Sequence, residues 1–250
     1  MSTNLKIVEK LIHSLDDEKE FQKIQFDQHA IINQNHNFES VVVDKPWGHE
    51  YLFYSSKEIS IWILKILKNQ KTSMHCHPNK KTSLILLEGE ANLYTLNKKI
   101  NLKCGNAVTI DKGVFHRTSS EYGKDILVME IETPTNKNDI VRYKDQYNRP
   151  NSGYETKDSF SEAKNLSTFL NYKDIKDHNR ILGNFEINII NNNHQKMKTS
   201  NENFLITPIK IKTKDHDSEI KLGEIYEKNF LIKKEALLVN IEELLVIQKK

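Results

Sequence analysis

Apolar residues recur at helical spacing at the start of the chain. Leu5, Val8, Leu11, Ile12 and Leu15 fall on one stripe, with Ser2 or Thr3 able to cap it, and predict an amphipathic helix over residues 3–15. Residues 16–44 are polar and mixed, which suits a short helix followed by a loop. The texture changes at Lys45-Pro46-Trp47-Gly48. From Glu50 to Pro134 the pattern is one of many short strands. Ile59, Ile61 and Ile63 alternate with Ser60, Trp62 and Leu64, and hydrophobicity on both faces predicts a strand covered on both sides. Ser83–Glu88 and Ala91–Leu96 flank Gly89-Glu90 and predict a hairpin. Asn97-Lys98-Lys99 is a second turn, followed by Ile100–Lys103, Val108–Ile110 and Ile126–Glu132. Strands at this spacing, without long helices between them, predict an antiparallel sandwich or barrel.

Residues 150–180 are charged and Ser-rich around Pro150 and Gly153, as in a linker with short helices. Strands return at Phe185–Ile190 and Phe204–Lys212, with two more between Leu222 and Ile247. Gly223-Glu224-Ile225 faintly echoes Gly105-Asn106-Ala107, so a degenerate second copy of the first β unit is one reading of this region. The chain thus divides into an N-terminal helical extension (1–44), a barrel (45–149), a linker (150–180) and a small β region (181–250). The expected class is all-β.

Composition changes this picture little. In 250 residues, 37 Lys and Arg face 34 Asp and Glu, a net +3 with signs interspersed, and no basic stripe interleaved with aromatics supports nucleic-acid binding. Cys76 and Cys104 are too few for a disulfide framework and fit a reducing compartment. The longest apolar runs are interrupted by Lys65 and Glu88, well short of the ~20 residues of a membrane span. The start of the chain lacks the pattern of a signal peptide, so a cytoplasmic location is expected.

Chemistry concentrates in Met74-His75-Cys76-His77 and in His116. On a strand, His75 and His77 point the same way and Cys76 the other, toward packing. His116 follows the turn-like Asp111-Lys112-Gly113-Val114-Phe115 and can fold back beside them. Three neutral imidazoles suit Zn, Fe, Ni, Cu or Mn, and ligand type alone does not choose among them. His13, His29, His36, His178, His194 and His216 read as solvated or hydrogen-bonded residues.

These residues resemble the cupin superfamily, a double-stranded β-helix or jelly-roll barrel. Its first motif, G-x5-H-x-H-x3,4-E-x6-G, is matched by His75, His77 and Gly89, with Asn69 at the leading glycine. Its second, G-x5-P-x-G-x2-H-x3-N, is matched by Gly105, Gly113 and His116, with Asp111 at the proline and Ser120 at the asparagine. Lys45-Pro46-Trp47-Gly48, Asp139-Ile140-Val141-Arg142 and Asp145-Gln146-Tyr147-Asn148-Arg149 are similar to segments of type II mannose-6-phosphate isomerases and of the isomerase half of mannose-1-phosphate guanylyltransferases. The resemblance covers residues 45–149. It implies a divalent metal (Zn, Mn, Fe or Ni) on His75, His77 and His116, and a sugar phosphate or nucleotide sugar as substrate. It implies an isomerase or epimerase of polysaccharide biosynthesis. It also implies a homodimer, with the N-terminal helix as a plausible exchanged arm. One departure stands out: the family's metal-binding glutamate falls at Thr82, whose neutral hydroxyl is a poor ligand. That keeps two alternatives open, a non-catalytic sugar-binding cupin and a three-histidine iron dioxygenase. Arg142 and Arg149 are the candidates for holding phosphate, since guanidinium pairs bidentately with it, and Lys80 and Lys81 are candidate point charges at the barrel mouth. Trp47 could stack a sugar ring. The catalytic base is not legible in the sequence: Glu88, Glu130 and Glu132 all fall on predicted strands, and alternation does not say which face each occupies.

Overall fold

The computed structural model describes residues 5–25, 37–144, 159–163, 166, 169–175, 179–191, 203–212 and 219–250. Arg149 and the second half of the 139–149 segment lie outside the described residues, as do His29, His36, His178, His194 and His216.

Three sheets build the fold. Strand β1 is Lys6–Leu11, β2 Val41–Lys45, β3 Gly48–Ser55, β4 Ser60–Ile66, β5 Met74–Cys76 and β6 Lys81–Glu88. Then come β7 Glu90–Thr95, β8 Lys99–Lys103, β9 Asn106–Ile110, β10 His116–Ser119, β11 Ile126–Thr133, β12 Val141–Lys144 and β13 Phe160–Glu162. The C-terminal strands are β14 Arg180–Leu182, β15 Phe185–Asn191, β16 Phe204–Ile211, β17 Tyr226–Glu227 and β18 Ile241–Lys249. Helix α1 spans Leu15–Gln25, with short helices α2 (Tyr172–Ile175) and α3 (Lys228–Lys233) later. An eight-stranded sheet in the order β1-β9-β6-β11-β4-β3-β2-β13 faces a five-stranded sheet in the order β12-β5-β10-β7-β8. Alternation of the chain between two facing, mainly antiparallel sheets is the double-stranded β-helix. No helix among the described residues is long and apolar enough to cross a membrane.

Residue parity explains both cores. On β4, β6, β9 and β11 the even-numbered Trp62, Leu64, Ile66, Leu84, Leu86, Val108, Ile110, Ile126 and Val128 point into the barrel, where they meet Leu93 and Leu102 of the second sheet. The odd-numbered Ile61, Ile63, Ile85, Leu87, Met129 and Ile131 point outward. They are buried there by Phe185, Ile187, Leu205, Ile209, Leu245 and Ile247 of the third sheet. That sheet has the order β14-β15-β18-β16-β17. Hydrophobicity on both faces of Ile59–Ile66 therefore has the cause the sequence pattern implies. The C-terminal region supplies the outer cover. Its described residues form one sheet rather than the two facing sheets a second barrel would need.

Two expectations are corrected. Residues 6–11 form a strand, not a helix, pairing in parallel with β9. A register shift between Ile7 and Glu9 turns Leu5 and Ile7 toward the outer core and Val8 and Leu11 toward the inner one, which mimics helical spacing. The helix starts at Leu15, where Ser14 and Asp17 cap each other reciprocally: the Asp17 N–H donates to Ser14 Oγ at 3.2 Å and the Ser14 N–H to Asp17 Oδ2 at 3.0 Å. The segment expected to serve as an exchanged arm is thus partly spent within its own barrel. The Gly89 turn, in turn, joins no hairpin. It carries the chain from the first sheet to the second, since β6 pairs with β9 and β11 while β7 pairs with β8 and β10. Gly89 has φ +85, and a Cβ there would lie 2.9 Å from the Ile126 side chain.

The third sheet should be a structural necessity. Phe185 is fully buried and Val239 is 72% exposed. Phe185→Ala should cost about 3–5 kcal/mol in urea unfolding, and Val239→Ala within about 0.5 kcal/mol of zero. Equal small effects would mean that the outer core does not hold the barrel.

Candidate metal centre

His75 on β5 lies opposite His116 on β10 across an antiparallel pair, so the two rings meet on one face. His77 follows β5 by one residue. The ring centroids are 4.9 Å (His75–His77), 4.6 Å (His75–His116) and 5.5 Å (His77–His116) apart. One ligand nitrogen from each ring lies within 4.8 Å of the others. All three residues are buried.

The main chain sets their tautomers. His75 Nδ1 is 2.9 Å from the Ser73 carbonyl oxygen, His77 Nδ1 2.6 Å from that of Asp139, and His116 Nδ1 2.9 Å from that of Val114. A carbonyl only accepts, so each Nδ1 carries the proton and each Nε2 offers a lone pair. The Nε2 atoms of His77 and His116 are buried without a protein partner. Outer hydrogen bonds that fix the ring while leaving the far nitrogen open are the usual support of a metal-bound histidine. Burial, reinforced by the neighbouring rings, holds His75 well below the ordinary imidazole range, and burial with Lys80 does the same for His77. Burial lowers His116 to about 4. All three are neutral at pH 7, the form a metal requires.

Loops and α1 hold the triad in place. The Gly113 N–H donates to the His77 carbonyl at 2.8 Å, tying the end of β5 to the turn before His116. Asp17 of α1 is buried, and its Oδ1 accepts the Phe115 N–H at 2.9 Å. Asp139 receives the N–H groups of Asn79 and Lys80, both at 2.9 Å, while its carbonyl orients His77. Cys76 points away, packed with Met74 and Phe115.

Inside the barrel the wall changes character along each strand. Beyond Leu84 on β6 comes Thr82, and beyond Val128 on β11 come Glu130 and Glu132. Thr82 lies opposite Glu132 across the β6–β11 pair, and its hydroxyl is buried without a partner. Glu132 takes Lys80 at 2.5 Å and the Ser60 hydroxyl at 3.1 Å. Burial works to raise the Glu132 carboxyl, but Lys80 and Lys137 overcome it and hold it below the ordinary value. Lys137 and Lys80 also act on Glu130, but too weakly to offset its environment. Burial and the adjacent Glu132 push it up to about 8, so it carries a proton at neutral pH. His77, Glu130 and Glu132 also bring ligand atoms within 4.8 Å of one another. Glu50 is held below the ordinary value against burial by Lys137 at 2.6 Å and Lys45 at 3.3 Å.

The expected site residues are therefore placed as follows. His75, His77 and His116 converge. Arg142 is registered against His75 across β12–β5 and lines the same cavity. Lys80 lines the cavity as well, buried in an ion pair with Glu132. Lys81 turns away, toward Glu224 at 3.4 Å. Trp47 lines the cavity, and Glu88 is exposed. Sequence reading missed Glu50, Lys137 and the clamping role of Asp139. The β11 alternation of Ile126, Val128, Glu130 and Glu132 carries the signal for both glutamates, once Val128 is known to face inward.

The strand order and the inward imidazoles define a cupin-type barrel with a site able to hold a metal. No protein-family model and no curated protein matches the sequence. Solved structures with a similar fold include KdgF from Halomonas sp., 17% identical, with 43% of this chain and 95% of that one covered and a TM-score of 0.36. A cupin-2 domain protein from Shewanella frigidimarina is 21% identical over 37% of this chain and 84% of that one, with a TM-score of 0.32. A putative sugar phosphate isomerase from Acidithiobacillus ferrooxidans is 16% identical over 36% and 63%, also at 0.32. The fold rests on the strand order itself, not on these likenesses. Asn69, at the position of the first motif's glycine, has φ +61, the left-handed conformation that favours glycine and tolerates asparagine.

Two pH effects follow for metal-free protein. Unfolded imidazoles bind protons near 6.5, whereas the folded ones resist, so stability should be intact above that pH and fall as the pH drops toward 4. At about 1.36 kcal/mol per pKa unit, His116 alone contributes up to roughly 3 kcal/mol of that loss. Glu130 acts in the opposite sense. It keeps its proton in the fold up to about pH 8, so it removes stability as the pH rises from 4.5 to 8. Thermal melts against pH in a chelating buffer should show His116→Gln flattening the acid limb and Glu130→Gln the alkaline one. Unchanged profiles would contradict these environments.

Proposed function

We propose that the protein is a metal-dependent cupin that moves a proton between adjacent carbons of a phosphorylated or nucleotide-linked sugar. This makes it an isomerase or epimerase, with polysaccharide synthesis the fitting context. The observation that carries the reading is the meeting of three Nε2 lone pairs with a proton-bearing carboxyl, Glu130, in one cationic cavity. His75, His77 and His116 would hold a divalent ion, which supplies an electrophile for developing negative charge on a substrate oxygen.

The chain's own residues supply the remaining parts. Glu130 lines the cavity beside His77, and with a pKa near the working pH it loses its own proton to solvent in part of the molecules; that ionised form takes the substrate proton and returns it to the neighbouring carbon. Glu132, fixed by Lys80 and Ser60, keeps the proton on Glu130 by its own charge. Arg142, Lys45 and Lys137 line the cavity and favour an anionic substrate. Arg149 is assigned to the same phosphate on its resemblance alone, and Lys81 has no part in this set. A homodimer in the cytoplasm is the assembly we assign to it.

Thr82 favours a second reading. Three imidazoles without a carboxylate at that position also suit an iron dioxygenase, and iron-dependent oxygen uptake would establish it.

The test is deuterium incorporation at the carbon next to the carbonyl, followed by NMR in heavy water with metal-replete protein and mannose 6-phosphate or related sugar phosphates. Glu130→Gln should slow exchange about 10²–10⁴-fold with metal content unchanged. His77→Ala should lose both metal and exchange. Metal-replete protein that exchanges no sugar phosphate or nucleotide sugar would overturn the isomerase reading.

A further inference from the structure

The barrel cavity around the histidines is small, about 90 Å³. It is not isolated. Glu132 and Lys137 line both it and an adjoining groove of about 770 Å³. That volume falls within the roughly 300–1,000 Å³ typical of small-molecule sites. The groove runs between residues 37–40 ahead of β2, the end of β3, the 135–138 loop and the start of α2.

Its chemistry differs from that of the inner cavity. Phe38, Tyr54 and Tyr172 bring aromatic rings to its wall, and Asn136 and Asn171 bring side-chain amides. Lys57 and Lys173 join Lys137 as cations, against the carboxylates of Glu39 and Glu132. Trp62 forms the floor. It is only 3% exposed, and its indole N–H finds no acceptor among the described residues. The Thr135 hydroxyl, on the same wall, is likewise buried without a partner. A buried, unmatched donor costs about 1–3 kcal/mol, and a ligand acceptor at this wall would recover it. At the neck, the Lys137 ammonium sits 3.5 Å from the Trp62 ring centroid.

We infer that this groove binds the nucleoside diphosphate part of a nucleotide-linked sugar, with the sugar reaching into the barrel. The inference rests on the sugar reading of the histidine site and narrows its substrate class. Aromatic walls suit a nucleobase, amides its polar edge and the ribose, and Lys57, Lys173 and Lys137 the two phosphates. A free hexose phosphate would leave the groove unused.

The chain's two tryptophans make the two compartments separately observable. Trp47 lines the barrel cavity and Trp62 the groove. In Trp47→Phe protein, emission reports the groove. In Trp62→Phe protein, it reports the cavity. UDP, GDP and dTDP, titrated in turn, should include one that shifts Trp62 emission and leaves Trp47 emission unchanged, with or without metal. Mannose 6-phosphate should do the reverse. The matching nucleotide sugar should shift both, with at least about tenfold tighter binding than its nucleoside diphosphate. Calorimetry on protein with both tryptophans covers a variant that fails to fold. The exposed pair Lys57→Glu and Lys173→Glu should weaken nucleotide binding about tenfold and leave mannose 6-phosphate binding intact. No response to any of the three nucleotides, or binding indifferent to the lysine pair, would overturn the inference. Nucleotide binding in the groove without turnover of any sugar would support it while removing the isomerase reading.

Discussion

Everything in this fold follows from burying both faces of one β-sheet. Strands β4, β6 and β11 carry apolar side chains at odd and even positions alike, so neither face can be left in water. The even face closes a barrel against the second sheet, and the odd face requires the C-terminal sheet. The outer cover makes the barrel wall a rigid layer between two cores, and site residues projecting from it inherit that rigidity.

The same parity places polar groups where burial is costly. Along the inner face, Val128 gives way to Glu130 and Glu132, and Leu84 to Thr82. A charge in such a place survives only with partners. Glu132 and Glu50 have lysines, and Glu130 keeps its proton instead. The three imidazoles stay neutral with their Nδ1 protons spent on main-chain carbonyls, which leaves unsatisfied nitrogens gathered at one point. Buried lone pairs without a donor cost free energy unless something binds there, and the chemistry of these nitrogens suits a divalent metal.

Much of this was legible in the residues. His75-Cys76-His77 on a strand and His116 after a glycine-bearing turn named the triad. Two-faced strands announced a covered sheet, although not which segment covers it. The misreadings have physical causes. A β-bulge gave β1 a helical spacing, and the pairing that makes it a strand lies about a hundred residues away in β9. A glycine turn between two apolar runs looks the same whether it closes a hairpin or crosses between sheets. Nothing local in the sequence marks Lys80 as buried, because its partner Glu132 lies on β11, far along the chain. The groove and the clamp at Asp139 join segments far apart in the chain, which local patterning does not reveal.

The central claim is that three Nε2 atoms converge on one metal. Anomalous diffraction at the zinc, manganese, iron and nickel edges, on crystals of metal-replete protein, tests it most directly. The expected result is a single peak about 2.0–2.1 Å from the Nε2 atoms of His75, His77 and His116 if the metal is zinc, and at a similar distance otherwise. The Nδ1 atoms should stay on the carbonyls of Ser73, Asp139 and Val114. No peak at the triad, or a peak reached through Nδ1, would contradict it.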